Sequence, residues 1–328
     1  MSFPDTVRPH DGSMRKWIFA LLGWIWIGAC GPIKDYSGLG EDSSSPRVQE
    51  QLPTTVGTVP PDPSLPLASS GRFLTTSGGH FSMAKVMSMA ISSNRVIRGL
   101  DSDGENLYVL VRTDQGGGIV RWNLMRTEVN GGTWVEQCSF LDDANFGGGL
   151  ALLESGFATL GMPCWNCSPS AHWVRKFTAT CGSAGTVLLP GHEARVSYAS
   201  NRADGNLSYL GSNRYGFENR YRGYYIFDSQ NLSFEPEMEG ATLAGQSVSF
   251  KGSAVLQFRA EGGWAIDTRL WKLNRNGQAV AWGNLPTTTY PLIGQNVEYV
   301  SRVGANHIAI LTLSTGQFHV FVLDVRSF

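Results

Sequence analysis

Residues 105–124 read ENLYVLVRTDQGGGIVRWNL: an apolar strand pattern, a turn of three glycines, and a second strand pattern rich in aromatic and β-branched residues. Four further stretches repeat this plan: SGFATLGMPCWNCSPSAHWVRKF (155–177), GNLSYLGSNRYGFENRYRGYYIFD (205–228), GSAVLQFRAEGGWAIDTRLWKLN (252–274) and NHIAILTLSTGQFHVFVLDV (306–325). Each alternates with a period of two residues and is punctuated by Gly, Asn or Asp, which marks strands and turns. No apolar stripe with a 3.6-residue period lasts long enough for a substantial helix. With Tyr108, Ala158, Tyr209, Val255 and Ala309 taken as equivalent positions, the steps are 50, 51, 46 and 54 residues.

A period near 40–50 residues with about four strands per unit is the signature of blades stacked around a channel. From residue 71 to 328 the chain resembles the β-propeller superfold, without WD, kelch or Asp-box motifs to name a subfamily. The expected fold is all-β, a β-propeller of five four-stranded blades, or six if residues 71–94 contribute more than one strand. The last repeat ends soon after FHVFVLDV and lacks an outer strand, which GRFLTTSGGHF (71–81) could supply. Closing the ring in this way removes an exposed sheet edge.

Ahead of the repeats, Met14-Arg15-Lys16 begins a basic stretch, and Trp17 to Ile27 are all apolar or Gly. Eleven such residues are too few to span a bilayer, which takes about 20, and fit the apolar part of an export signal. The run ends Ile27-Gly28-Ala29-Cys30-Gly31. That order resembles the lipobox of bacterial lipoproteins, a branched apolar residue, two small ones and the cysteine that receives lipid. The resemblance implies a signal peptide over residues 1–29, with an effective start at Met14, because Asp5 and Asp11 do not suit a signal's basic end. It also implies lipidation at Cys30, anchoring to the lipid bilayer by two or three acyl chains, and, from the neutral Gly31, the bacterial outer membrane. Residues 30–70 are rich in Pro, Ser, Gly and Thr and bury too little apolar surface to fold, so they read as a flexible tether.

Composition agrees with export. With Cys30 lipidated, Cys138, Cys164, Cys167 and Cys181 remain as disulfide candidates with three possible pairings. The Cys164/Cys167 spacing also admits a redox pair or half of a zinc site, although its flanks read as strand and turn. Of 26 basic and 27 acidic residues, removing residues 1–29 leaves 23 and 25, so no basic field attracts nucleic acid.

Catalytic and cofactor motifs are missing, and no cofactor, metal or catalytic residue is expected. The glycine runs 116–118 and 147–149 read as hairpin turns. Asp101, Asp103 and Glu105 resemble the start of a calcium loop but lack the later bidentate Glu. His80, His172, His192, His307 and His319 are scattered, and would matter chemically only if several converged on the channel. The richest recognition stretch is NRYGFENRYRGYYIF (213–227), where Arg214, Tyr215, Phe217, Arg220, Tyr221 and Arg222 combine aromatic area with guanidinium groups, the make-up of binding hot spots. The same tyrosines could instead pack between blades. The favoured function is non-enzymatic binding or scaffolding of a protein or glycan partner; the alternative is an extracytoplasmic propeller hydrolase or lyase acting on a carbohydrate.

Overall fold

The computed structural model describes residues 72–74, 80–115, 120–142, 146–162, 172–189, 206–219, 223–251, 254–287 and 290–328. The expected signal peptide, Cys30 and the tether lie outside the described residues, as do Cys164, Cys167, Arg220, Tyr221, Arg222, His192 and Gly116–Gly118.

The chain forms a five-bladed β-propeller. The N-terminal strands are β1 (Arg72–Leu74) and β2 (His80–Ala90). Blade 1 comprises β3 (Arg95–Ser102), β4 (Asn106–Asp114), β5 (Val120–Glu128) and β6 (Val135–Asp142). Blade 2 comprises β7 (Phe146–Leu153), β8 (Gly156–Met162), β9 (His172–Thr178) and β10 (Ser183–Leu189). Blade 3 comprises β11 (Leu207–Tyr209), β12 (Arg214–Asn219), β13 (Gly223–Asp228) and the two-residue β14 (Ser233–Phe234), followed by a separate hairpin, β15 (Gly240–Leu243) and β16 (Gln246–Ser249). Blade 4 comprises β17 (Val255–Arg259), β18 (Gly262–Ile266), β19 (Arg269–Asn274) and β20 (Ala279–Asn284). Blade 5 has β21 (Val297–Val303), β22 (His307–Ser314) and β23 (Gln317–Ser327) from the C-terminal end and β2 as its fourth strand.

The sheets bear out the expected count of five blades, because β1 and β2 join one sheet instead of founding a sixth. The closing strand is β2 rather than the whole of 71–81: Val86 pairs with Phe321 and Ser88 with His319, while β1 adds only a three-residue fifth strand beside residues 80–82. The repeat alignment also slips by one strand. Tyr108, Ala158 and Ala309 lie on second strands, whereas Tyr209 and Val255 lie on the inner strands β11 and β17.

Inner strands β3, β7, β11, β17 and β21 pack on one another in that order, and β21 packs back on β3, so the ring is closed. The approach of β3 to β7 needs a glycine: a Cβ on Gly99 of β3 would stand 2.6 Å from the Leu150 side chain of β7.

Five apolar clusters fill the five clefts between neighbouring blades. Leu110, Trp122, Phe157 and Phe177 lie between blades 1 and 2; Leu160, Val174, Tyr215 and Phe217 between 2 and 3; Tyr224, Phe250, Phe258 and Trp271 between 3 and 4. Ile266, Leu270, Ile310 and Phe321 lie between blades 4 and 5, and Val109, Val111, Leu311 and Val320 between 5 and 1. Successive residues of one strand therefore enter different cores: Ile308 and Ile310 face blade 4, Ala309 and Leu311 face blade 1. A strand buried on both faces reads as a continuous apolar run, and each fully buried large side chain adds about 1.5–3 kcal/mol.

One covalent tie crosses a cleft. Cys138 of β6 is bonded to Cys181, in the turn between β9 and β10, with Cα atoms 5.7 Å apart across a sequence separation of 43. By the chain-entropy model, closing a loop of that length stabilises the fold by about 4 kcal/mol. Replacing both cysteines by alanine should therefore lower the unfolding free energy in urea by roughly that amount, and an unchanged midpoint would show that the bridge contributes nothing.

Candidate functional site

Each inner strand of a propeller has one edge paired to its own blade and one edge facing the axis. The backbone groups on that second edge are buried and still need partners. Here polar side chains supply them.

Asp101, on β3, is fully buried at the centre of the ring. Its carboxylate accepts from the Ser102 amide at 2.9 Å, the Leu152 amide of β7 at 2.8 Å, the Gln257 side-chain amide of β17 at 3.0 Å and the Ser301 hydroxyl of β21 at 3.0 Å. It also forms an ion pair with Arg259 of β17, whose guanidinium is largely buried. One side chain thus joins blades 1, 2, 4 and 5. Hydrogen bonds to an ionised acceptor are about twice as strong as neutral ones, so the carboxylate is the strongest acceptor available for this position.

Blade 3 enters through Asn206 and Ser208. The Asn206 amide donates to the carbonyls of Leu256 and Val300 at 2.9 and 3.3 Å, and the Ser208 hydroxyl accepts from the Phe258 amide at 3.2 Å. Gln257 accepts from the Arg302 amide at 2.7 Å through its side-chain oxygen, while its nitrogen serves Asp101. At this end of the axis Arg302 pairs with Glu261 and donates to the Gly304 carbonyl at 2.9 Å. Burial, and then the neighbouring Arg259 charge, hold the Arg302 pKa below its ordinary value. The turns after β3 and β21 meet here: a Cβ on Gly104 would stand 3.3 Å from the Gly304 Cα, and both glycines have positive φ, 101° and 58°. The axis is closed at this depth by a hydrogen-bonded plug.

The residues singled out in the sequence fall in different places. Asp101 and Asp103, read as the start of a calcium loop, do not share a site. Asp103 caps its own turn, accepting from the Glu105 and Asn106 amides at 2.9 and 2.7 Å and from the Tyr108 hydroxyl at 2.9 Å. Burial works to raise the Asp103 pKa, but these donors outweigh it and leave the carboxyl below its ordinary range. His319 is buried in blade 5 between the Ser88 hydroxyl, 2.7 Å from Nδ1, and the Ser314 hydroxyl, 2.9 Å from Nε2. Ser88 is its direct cross-strand partner, so this is a sheet contact within one blade. His307 opens β22 of the same blade. Among the described residues no group of three His, Cys, Asp or Glu side chains could hold a metal ion.

Of the expected recognition residues, Arg214 is half-exposed and donates to Glu235 at 2.8 Å. Tyr215 and Phe217 are buried in the cleft between blades 2 and 3, with Tyr225 and Phe227 of β13. A partner cannot reach them there. The reason is the blade itself: β12 is a second strand with a neighbour on either face, so its odd-numbered aromatics become core. Burial, and then the nearby Tyr209, push the Tyr215 phenol up to about 12. Burial also raises the Tyr224 phenol. Of the cysteine candidates, Cys138 and Cys181 are joined to each other.

No protein-family model matches the sequence, and no curated protein matches it. Among solved structures the chain is similar to a protein of unknown function from Bacteroides thetaiotaomicron, at 8% identity and a TM-score of 0.39, covering 78% of this chain and 77% of the other. It is also similar to BamB from Moraxella catarrhalis, at 13% identity and a TM-score of 0.33, covering 78% and 99%. Likeness at this level carries no argument about activity, and the fold rests on the sheets described above.

The plug makes the two aspartates separable. Asp101→Ala leaves Arg259 buried without its partner and should cost about 3–5 kcal/mol in urea unfolding. Asp103→Ala loses surface hydrogen bonds and should cost about 1 kcal/mol, with millimolar calcium leaving the native midpoint unchanged. Equal costs, or stabilisation by calcium, would contradict these roles. The tyrosines give a pH dependence. Because the folded pKa of Tyr215 exceeds the ordinary value of about 10, its contribution is intact below pH 10 and is lost between about pH 10 and 12 as the unfolded phenol ionises first. Tyrosinate absorbance at Tyr215 should therefore rise only with unfolding, and Tyr215→Phe should remove its share of that alkaline loss of stability.

Proposed function

We propose that this chain is a non-enzymatic binding or scaffolding module for a protein or glycan partner, displayed at the bacterial cell envelope by an acylated Cys30 and the tether of residues 30–70. The observation that carries the binding reading is the commitment of Asp101. A propeller hydrolase or lyase would bring acids or histidines from separate blades together at the axis. Asp101, which stands there, already accepts five donors from four blades. Its work is to hold the ring, which leaves the loops and the perimeter for recognition.

The site we assign to the partner is the connection between β12 and β13, carrying Arg220, Tyr221 and Arg222, with Arg214 at the far end of β12. Loops on a rigid scaffold are where recognition concentrates, and Arg and Tyr are its richest residues. The Cys138–Cys181 bond supports an oxidising compartment, and with it the export that the lipobox-like sequence implies.

Two measurements test this. Cys30→Ser should shift the protein from the membrane fraction of the envelope to the soluble fraction; unchanged membrane attachment would rule out the lipid anchor. A photo-crosslinking residue in place of Tyr221, in intact cells, should give one discrete adduct that the added Arg220→Ala and Arg222→Ala changes abolish. No adduct, or one indifferent to the arginines, would rule out this loop.

A further inference from the structure

Resting on that binding reading, a second recognition element is written in the perimeter of the ring. Every blade ends in an outer strand whose free edge presents unpaired N–H and C=O groups, a template for another strand unless something blunts it. Among the described residues, four of the five edges are blunted. β6 carries Glu136 and is crossed by the disulfide at Cys138. β14 is two residues long. β20 has β15 and β1 packed against it. In blade 5, β1 covers the start of β2, and the rest of β2 carries Lys85 and a register shift between Met83 and Lys85.

The outer strand of blade 2 differs. β10, Ser183 to Leu189, is seven residues long with no charged side chain and no proline. Ser183 through Thr186 are exposed, and Leu188 holds 61% of its area in solvent. Its one irregularity lies at the start, between Ser183 and Gly185, so Thr186 to Leu189 pair in unbroken register with Arg175 to His172 of β9. The ribbon β9–β10 contains two cations, Arg175 and Lys176, and no acid. These project from opposite faces, opposite Thr186 and Gly185, with Arg175 over the Trp173 ring and Lys176 over the Tyr215 ring.

We propose that the outer edge of β10, which pairs with no other strand among the described residues, binds an extended segment of a partner protein as a fifth strand of blade 2. Backbone hydrogen bonds supply the affinity and alternate side chains the selectivity. The segment would place an apolar residue against Leu188 and an acidic residue within reach of Lys176.

The test uses the oxidised mature chain and an acetylated, amidated heptapeptide in which valine alternates with threonine and the central threonine is replaced by glutamate. Binding should slow hydrogen exchange at β10 amides. Methylating alternate peptide nitrogens on the edge-pairing side should abolish that protection, and lysine for glutamate should weaken it about tenfold. Leu188→Lys should weaken binding about tenfold while leaving the thermal midpoint unchanged. Exchange in β10 that is indifferent to millimolar peptide, equal protection by the methylated peptide, or protection confined to another blade would overturn the proposal. So would concentration-dependent dimerisation that Leu188→Lys abolishes, since a second copy would then own the edge. An adduct at Tyr221 with no effect at β10 would overturn this inference alone; protection at β10 without the adduct would overturn only the loop assignment.

Discussion

Buried backbone groups with no strand to pair with are the constraint on which this molecule depends. Five inner strands turn their free edges to one axis, and a ring of five is small enough for side chains to reach across. Asp101 does most of the reaching, from β3 to β7, β17 and β21, while Asn206 and Ser208 bring β11 into the same network. The apolar clefts hold neighbouring blades together in pairs, whereas the axial network also ties blades that are not neighbours. It is also the reason that the centre, the usual place to look for chemistry in such a ring, is better understood as a fastening.

Much of the fold is legible in the amino-acid sequence. Doubly buried strands write long apolar runs, and the runs recur often enough to indicate blades. The register is harder. In a meander every strand resembles the next, so Tyr209 and Val255 can be matched to Tyr108 although they lie one strand further in. Tyr215 and Phe217 mislead for a related reason: aromatic residues at alternate positions suggest a contact face, yet in a propeller both faces of a blade are interior. Asp101 is hidden by its neighbours, because Asp-x-Asp-Gly looks like a metal loop. The signal that distinguishes it is a polar residue interrupting an inner strand shortly before its turn, which Asp101, Gln257 and Ser301 share.

The perimeter follows a different physics. Its strands face solvent, so the problem there is unwanted pairing rather than unmet pairing. The answers are local and varied: a disulfide, a shortened strand, an extra hairpin, a lysine. The β15–β16 hairpin has its own fastening, since Arg269 of β19 stacks near Trp271 and Trp282 and donates to the Ser247 carbonyl and the Gln246 side chain.

The pairing of β2 with β23 has a consequence for timing. The last blade cannot be completed until residues near 320 meet residues near 86, so no ring can shut while the C-terminal strand is still being made. Non-local pairing of this kind is slow. Closure of the ring is therefore a single late event that waits on both ends of the domain, and the earlier blades cannot be locked in place before it.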